Sequence, residues 1–219
     1  MNGGPPAGRV DERVLQRQGR AALCETLDAV GGEAPTMCDG WRAIDLASHM
    51  VVRERDPWTA PMIICGRFSR IIERMTLHER AGGFDKIVRR LRGGPPWLFR
   101  STPVAVRLNT VEDWIHHEDV RRANGQDPRV SSPSLDDLLW RGVGAAGKVA
   151  GLRLDDVGLD AVATDGRRIT VKKGDRVVEV VGDPGEVLLF VTGRTTVAQV
   201  ELRGDADAVD ALNRAELRL

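Results

Sequence analysis

The chain has no tyrosine at all, and only 4% of its 219 residues are aromatic. It also lacks net charge, because 32 Lys and Arg balance 32 Asp and Glu. No long-range field therefore draws the protein toward nucleic acid or an anionic membrane surface. The small basic run Arg89, Arg90, Arg92 has no aromatics interleaved with it, as base stacking would require. No apolar run approaches the ~20 residues that span a bilayer. The first eight residues are rich in glycine and proline and lack the apolar core of a secretion signal, so a cytoplasmic location is expected. Cysteine is scarce: Cys24, Cys38 and Cys65 are odd in number and show no CxxC spacing, which argues against a disulfide framework or a thiolate zinc cluster. They are expected to be free thiols with structural roles.

Against these absences, 42% hydrophobic and 29% charged residues are ordinary for a globular chain, and the length suits two modest domains. Apolar residues recur at helical spacing over residues 10–27, and the glycine pair Gly31 and Gly32 stops the pattern. A second helix is predicted from Asp45 to Arg55, ended by Asp56 and Pro57, with His49 in its middle. Phe68, Ile71, Ile72 and Met75, then Phe84, Ile87, Val88 and Leu91 beyond Gly82 and Gly83, predict an interrupted helical arm. The run NTVEDWIHHEDVRRANG predicts a fourth helix, capped by Asn109 or Thr110 and stopped at Asn124 and Gly125. A further short helix, bridging the domains, is expected over residues 134–149.

From about Leu152 the texture changes to short β-branched runs at residues 157–164, 168–172 and 176–181. Asp165 with Gly166, and Gly174 with Asp175, are hairpin signals between them. A helix at residues 186–191, a strand at 198–203 and a final helix at 206–217 complete a small α+β unit.

Of the four histidines, at positions 49, 78, 116 and 117, two lie within one turn of several carboxylates. Glu112 and His116 are spaced i, i+4, so their side chains stack on one helix face and can bind one ion together. Asp113 and His117 share that spacing. The apolar arc of the helix, through Leu108, Val111, Trp114 and Ile115, lies nearer the Glu112/His116 pair, which favours it. A third ligand from another helix would complete a two-nitrogen, one-carboxylate set of the kind used by catalytic zinc and non-haem iron. His49 is the donor that composition nominates; periodicity does not aim it, since apolar residues occupy most of the circumference of its helix. The alternative from the residues alone is a hydrogen-bonded His49 and a solvated charged face at HHED. The run Arg53, Glu54, Arg55, Asp56 reads as a surface of alternating charge.

The segments DLASHMVVRERDP and NTVEDWIHHEDVRRANG resemble the two metal-binding helices of the mycothiol-dependent maleylpyruvate isomerase family, and GDPGEVLLFVTGR followed by VELRGD is similar to that family's C-terminal part. The resemblance implies a mainly α protein with an α+β part: a DinB-like four-helix bundle over residues 1–149 and a small α+β domain over 150–219. It implies a divalent metal, zinc before iron or nickel, on His49, Glu112 and His116, with His117, Glu118 and Asp119 orienting ligands or facing water. It implies mycothiol as cofactor and an isomerase or S-transferase acting on a small, anionic substrate. The founding activity of the family is the cis-trans isomerisation of maleylpyruvate to fumarylpyruvate. An ion with an open position could hold a thiol as thiolate, which would add to an activated double bond, permit rotation and leave, with no need for a protein cysteine. Arg194 is the candidate catalytic cation for an anionic substrate; a helix-terminal arginine on the surface is the alternative. A module in which the ion is structural, and a metal-free scaffold, remain the competing functions.

Overall fold

The computed structural model describes residues 10–55, 69–95, 102–154, 157–215 and 217. Cys65, Asp56, Phe68 and the side chains of Ile71 and Ile72, all used above, lie outside what is described. Among the described residues six helices come first: α1 Glu12–Val30, α2 Ala43–Arg55, α3 Ser69–Arg80, α4 Phe84–Gly93, α5 Pro103–Ala123 and α6 Pro133–Gly151. They lead into β1 Gly158–Ala163, β2 Arg168–Lys172, β3 Val177–Gly182, α7 Pro184–Val191, β4 Glu201–Arg203 and α8 Ala206–Arg214. The chain is thus mainly helical with one small four-stranded sheet.

Local chemistry sets the helix ends. The Asp11 carboxylate accepts the Arg13 amide at 2.9 Å and starts α1. Gly83, with φ of 87°, turns the chain between α3 and α4. Helix α5 starts earlier than the expected cap at Asn109 or Thr110. Thr102 accepts the Ala105 amide and Pro103 occupies the first turn. Asn109 and Thr110 are buried inside the helix, where the Thr110 hydroxyl bonds back to the Val106 carbonyl.

Two apolar clusters organise the fold. Leu23 and Leu27 of α1, Leu46 and Met50 of α2, and Ile87 and Leu91 of α4 form the first, joined by Val120 of α5. Trp114 and Ile115 of α5, Leu139 and Val143 of α6, Val178 and Val180 of β3, and Leu188 and Leu189 of α7 form part of the second. Helix α5 therefore belongs to both, and residues 113–120 of it are buried all round. Helix α6 packs its apolar side on the second cluster, and its close approach to the sheet needs Gly151: a Cβ there would lie 2.8 Å from the Val171 carbonyl oxygen.

The strand order is β2-β1-β3-β4. Asp165 and Gly166 make the expected β1/β2 hairpin. Gly174 and Asp175 do not make one. Strand β3 instead pairs in parallel with β1, from Gly158 against Val177 to Ala163 against Gly182. The connection steps across the start of β1, where the Gly158 amide donates to the Arg176 carbonyl at 2.7 Å. Gly174 serves close approach there, since a Cβ on it would meet the Gly158 nitrogen at 2.6 Å. The last strand is shorter than expected, Glu201–Arg203 only, and α8 ends at Arg214. Among the described residues no helix is long and apolar enough to cross a membrane.

Candidate metal centre

Helices α2 and α5 bring His49 and His116 together with ring centroids 5.8 Å apart, the planes inclined at 77°. One turn before His116, Glu112 places Oε2 at 3.4 Å from His116 Nε2. Of the three residues expected as ligands, Glu112 and His116 are thus adjacent on α5, and His49 lies beside His116 from α2. Trp41, in the loop before α2, packs against the other side of His49 at a centroid distance of 5.0 Å. His49 Nδ1 is buried and has no hydrogen-bond partner among the described residues. Such an orphaned nitrogen is costly unless something binds it.

Protonation suits these groups to an ion. Burial, then the neighbouring His116 charge, pushes the His49 imidazole down to about 3, so it is neutral and its lone pair is available. For Glu112, burial works toward protonation, but the Arg53 guanidinium, the hydrogen bond with His116 and the charges of both histidines outweigh it, and the carboxyl is held well below its ordinary range. Burial disfavours a charged His116 too. Hydrogen bonds to Asp119, Cys38 and Glu112 overcome that, and this ring is held well above the ordinary histidine range. A cation arriving at Nε2 would take the place of that proton. Two neutralisable nitrogens and one ionised carboxylate are the donor chemistry of an open divalent site, and the residues fit such an ion.

The second nitrogen of His116 is also committed. Nδ1 lies 3.0 Å from Asp119 Oδ2, one turn further along α5. Asp119 is fully enclosed, with a side-chain exposure of 0%. Its Oδ2 also accepts from the Cys38 thiol at 3.4 Å and from Arg194 NH2 at 2.7 Å, while Oδ1 accepts Arg194 Nε at 3.0 Å. Burial would raise the Asp119 pKa, yet the bonds from His116 and Arg194 take it well below the usual carboxylate range. Among the described residues, the group whose ligand atoms lie close enough together for a metal ion is Cys38, His116 and Asp119, rather than the expected His49, Glu112 and His116. Both Asp119 oxygens, however, already face a guanidinium, which disfavours a further cation.

Other expected site residues fall elsewhere. His117 bonds Thr26 Oγ1 at 2.7 Å and is buried, its pKa pushed down to about 2 by burial and by Arg129 and Arg121. Asp113 turns toward Arg20, 3.3 Å away. Glu118 is clamped by Arg122 and Arg129 at 2.8 and 2.7 Å. None of these three faces water. Arg53 and Glu54 are not a surface of alternating charge either: Arg53 is buried beside Glu112, 3.6 Å away, and Glu54 pairs with buried Arg20. The reason is that α2 is surrounded by helices, so its charged residues must find partners inside. His78 is exposed on α3. Cys38 was given only a structural role by sequence; no spacing in the chain announces its contact with Asp119.

No protein-family model matches this sequence, and no curated protein does either. Among solved structures, the mycothiol-dependent maleylpyruvate isomerase matches over 90% of this chain and 92% of that chain, with a TM-score of 0.61 at 14% identity. A histidine-to-alanine mutant of that enzyme matches over the same shares with the same TM-score at 13% identity. The chain has the fold of the mycothiol-dependent maleylpyruvate isomerase.

Proposed function

We propose that the protein binds one divalent metal ion, zinc before iron or nickel, through His49, Glu112 and His116, and uses it to hold a low-molecular-weight thiol of the mycothiol type. The observation that supports this reading is the placement of His49 beside His116, with the two imidazoles 5.8 Å apart, and of Glu112 Oε2 3.4 Å from His116 Nε2. A bound divalent ion would supply Lewis acidity that keeps a coordinated thiol ionised near neutral pH.

Charge on the protein favours an anionic ligand. Glu112 is matched by Arg53 and Asp119 by Arg194, so the positive charge of an added ion has no further carboxylate of this group to cancel it. A thiolate, and after it a small anionic substrate, would meet that excess. With three protein donors the coordination sphere stays open, as catalytic zinc requires. The reaction is then isomerase or S-transferase chemistry, in keeping with the activity named for the enzyme of the same fold.

The test is metal analysis of purified protein followed by calorimetric titration with mycothiol, beside a simple thiol as control. One ion per chain and heat from mycothiol that vanishes in His49→Ala are expected. An ion that binds tightly while mycothiol gives no heat at saturation would make the metal structural and remove the thiol cofactor.

A further inference from the structure

We infer that Asp119 and Arg194 form a positioning pair through which the C-terminal half of the chain sets the affinity of the metal centre; this deepens the proposed ligand set and rests on it. Imidazole has two nitrogens, and an ion can use only one whose lone pair is free and aimed. Asp119 Oδ2, 3.0 Å from His116 Nδ1, fixes the proton on that nitrogen. Nε2 is left as the donor, turned toward Glu112. A carboxylate behind a ligating histidine also makes the ring a stronger base and hence a stronger ligand.

Asp119 does not hold that orientation unaided. Arg194 grips both of its oxygens, at 3.0 and 2.7 Å, in the two-point geometry that a guanidinium provides and an ammonium does not. The arginine is itself fixed. Gly193, with φ of 91°, reverses the chain at the end of α7, the Arg194 amide donates to the Leu189 carbonyl at 2.9 Å, and NH1 donates to the Thr192 carbonyl at 2.8 Å. Rigid turn, guanidinium, carboxylate and imidazole thus form one chain of contacts from α7 to the metal-facing nitrogen. Arg194 acts on the centre through Asp119.

Titration of the metal-free full chain with cobalt(II) tests this, reading affinity and the visible spectrum together. Asp119→Asn is expected to weaken binding by about 10- to 100-fold and to shift the cobalt bands, with Arg194→Gln moving both in the same direction by a smaller factor. Arg194→Lys, which keeps the charge without the fork, is expected between Arg194→Gln and the wild type. Circular dichroism checks that each variant is folded; if Asp119→Asn does not fold, Arg194→Gln carries the test, its side chain being 17% exposed at a turn. Folded variants with wild-type affinity and spectrum overturn the pair while leaving the ligand set standing. A thiolate-to-cobalt charge-transfer band in the wild type would put Cys38 on the ion and overturn the assignment. A wild type that takes up no metal overturns the ligand set itself.

Discussion

The Glu112 carboxylate lies between His116 Nε2 at 3.4 Å and Arg53 Nε at 3.6 Å, so a residue of α2 that looks like surface charge in sequence is an inner neighbour of the candidate metal centre. Arg53 also donates to Asn109 Oδ1 at 3.2 Å, which ties it to α5 one turn before Glu112. The carboxylate is thereby kept ionised and in place before any ion arrives.

Removing a proposed ligand should empty the proposed site without unfolding the helices. His116→Ala and His49→Ala are each expected to lower zinc affinity by on the order of 100-fold or more, a larger effect than loss of a residue behind a ligand. Equilibrium dialysis with elemental analysis measures it, and unchanged metal content in either variant would contradict the ligand set.

The buried triad of Arg20, Glu54 and Asp113 should be costly to break. Arg20 reaches Glu54 Oε2 at 2.7 Å and Asp113 Oδ2 at 3.3 Å, with all three side chains enclosed. Glu54→Gln leaves the arginine under-compensated and is expected to destabilise the fold by about 3–5 kcal/mol. Urea unfolding of both proteins reads this, and a loss below 1 kcal/mol would mean that water replaces the carboxylate.

Two glycines should respond with opposite signs. In α7 a Cβ at Gly185 would lie 2.7 Å from the Trp114 ring, so Gly185→Ala is expected to destabilise by about 1–3 kcal/mol. In α6 a Cβ at Gly144 would meet only Ile169 Cδ1, at 3.6 Å. Gly144→Ala should stabilise by roughly 0.5–1 kcal/mol, because alanine loses less backbone entropy in a helix. Midpoints of thermal unfolding moving the same way in both variants would contradict this packing.

Cysteine reactivity should separate Cys24 from Cys38. Burial pushes the Cys24 thiol up to about 12, and its side chain is sealed in the first apolar cluster. Cys38 is partly exposed in the loop before α2. Labelling with a soluble alkylating reagent, followed by peptide mapping, should modify Cys38 in the native protein and Cys24 only on unfolding. Equal rates at the two positions would show that the α1, α2 and α4 core opens readily.

Helix content was readable because apolar spacing and glycine stops are local. The Glu112/His116 pair was legible for the same reason, since i, i+4 spacing on a helix already implies a shared face. His49 was not aimed by its own helix: apolar residues surround α2, and only family resemblance paired it with α5. That apolar circumference did contain an unused signal. A helix without a polar face is enclosed, so Arg53 and Glu54 needed inner partners from the outset. The β2-to-β3 hairpin failed on a different ground, because Gly174 suits a tight reversal and a close crossing equally well. Which occurs depends on the free edge of β1, a property of the assembled sheet.

The sequence by itself determined the mainly helical first part, the small sheet that follows, and two stacked candidate ligands on α5, all consequences of periodicity within single segments. Tertiary structure decided that His49 lies beside His116, that Asp119 rather than His117 or Glu118 backs His116, and that Cys38 and Arg194 close on Asp119 from opposite parts of the chain. Contacts of that kind are set by how separate elements pack around α5, and short-range spacing carries no record of them.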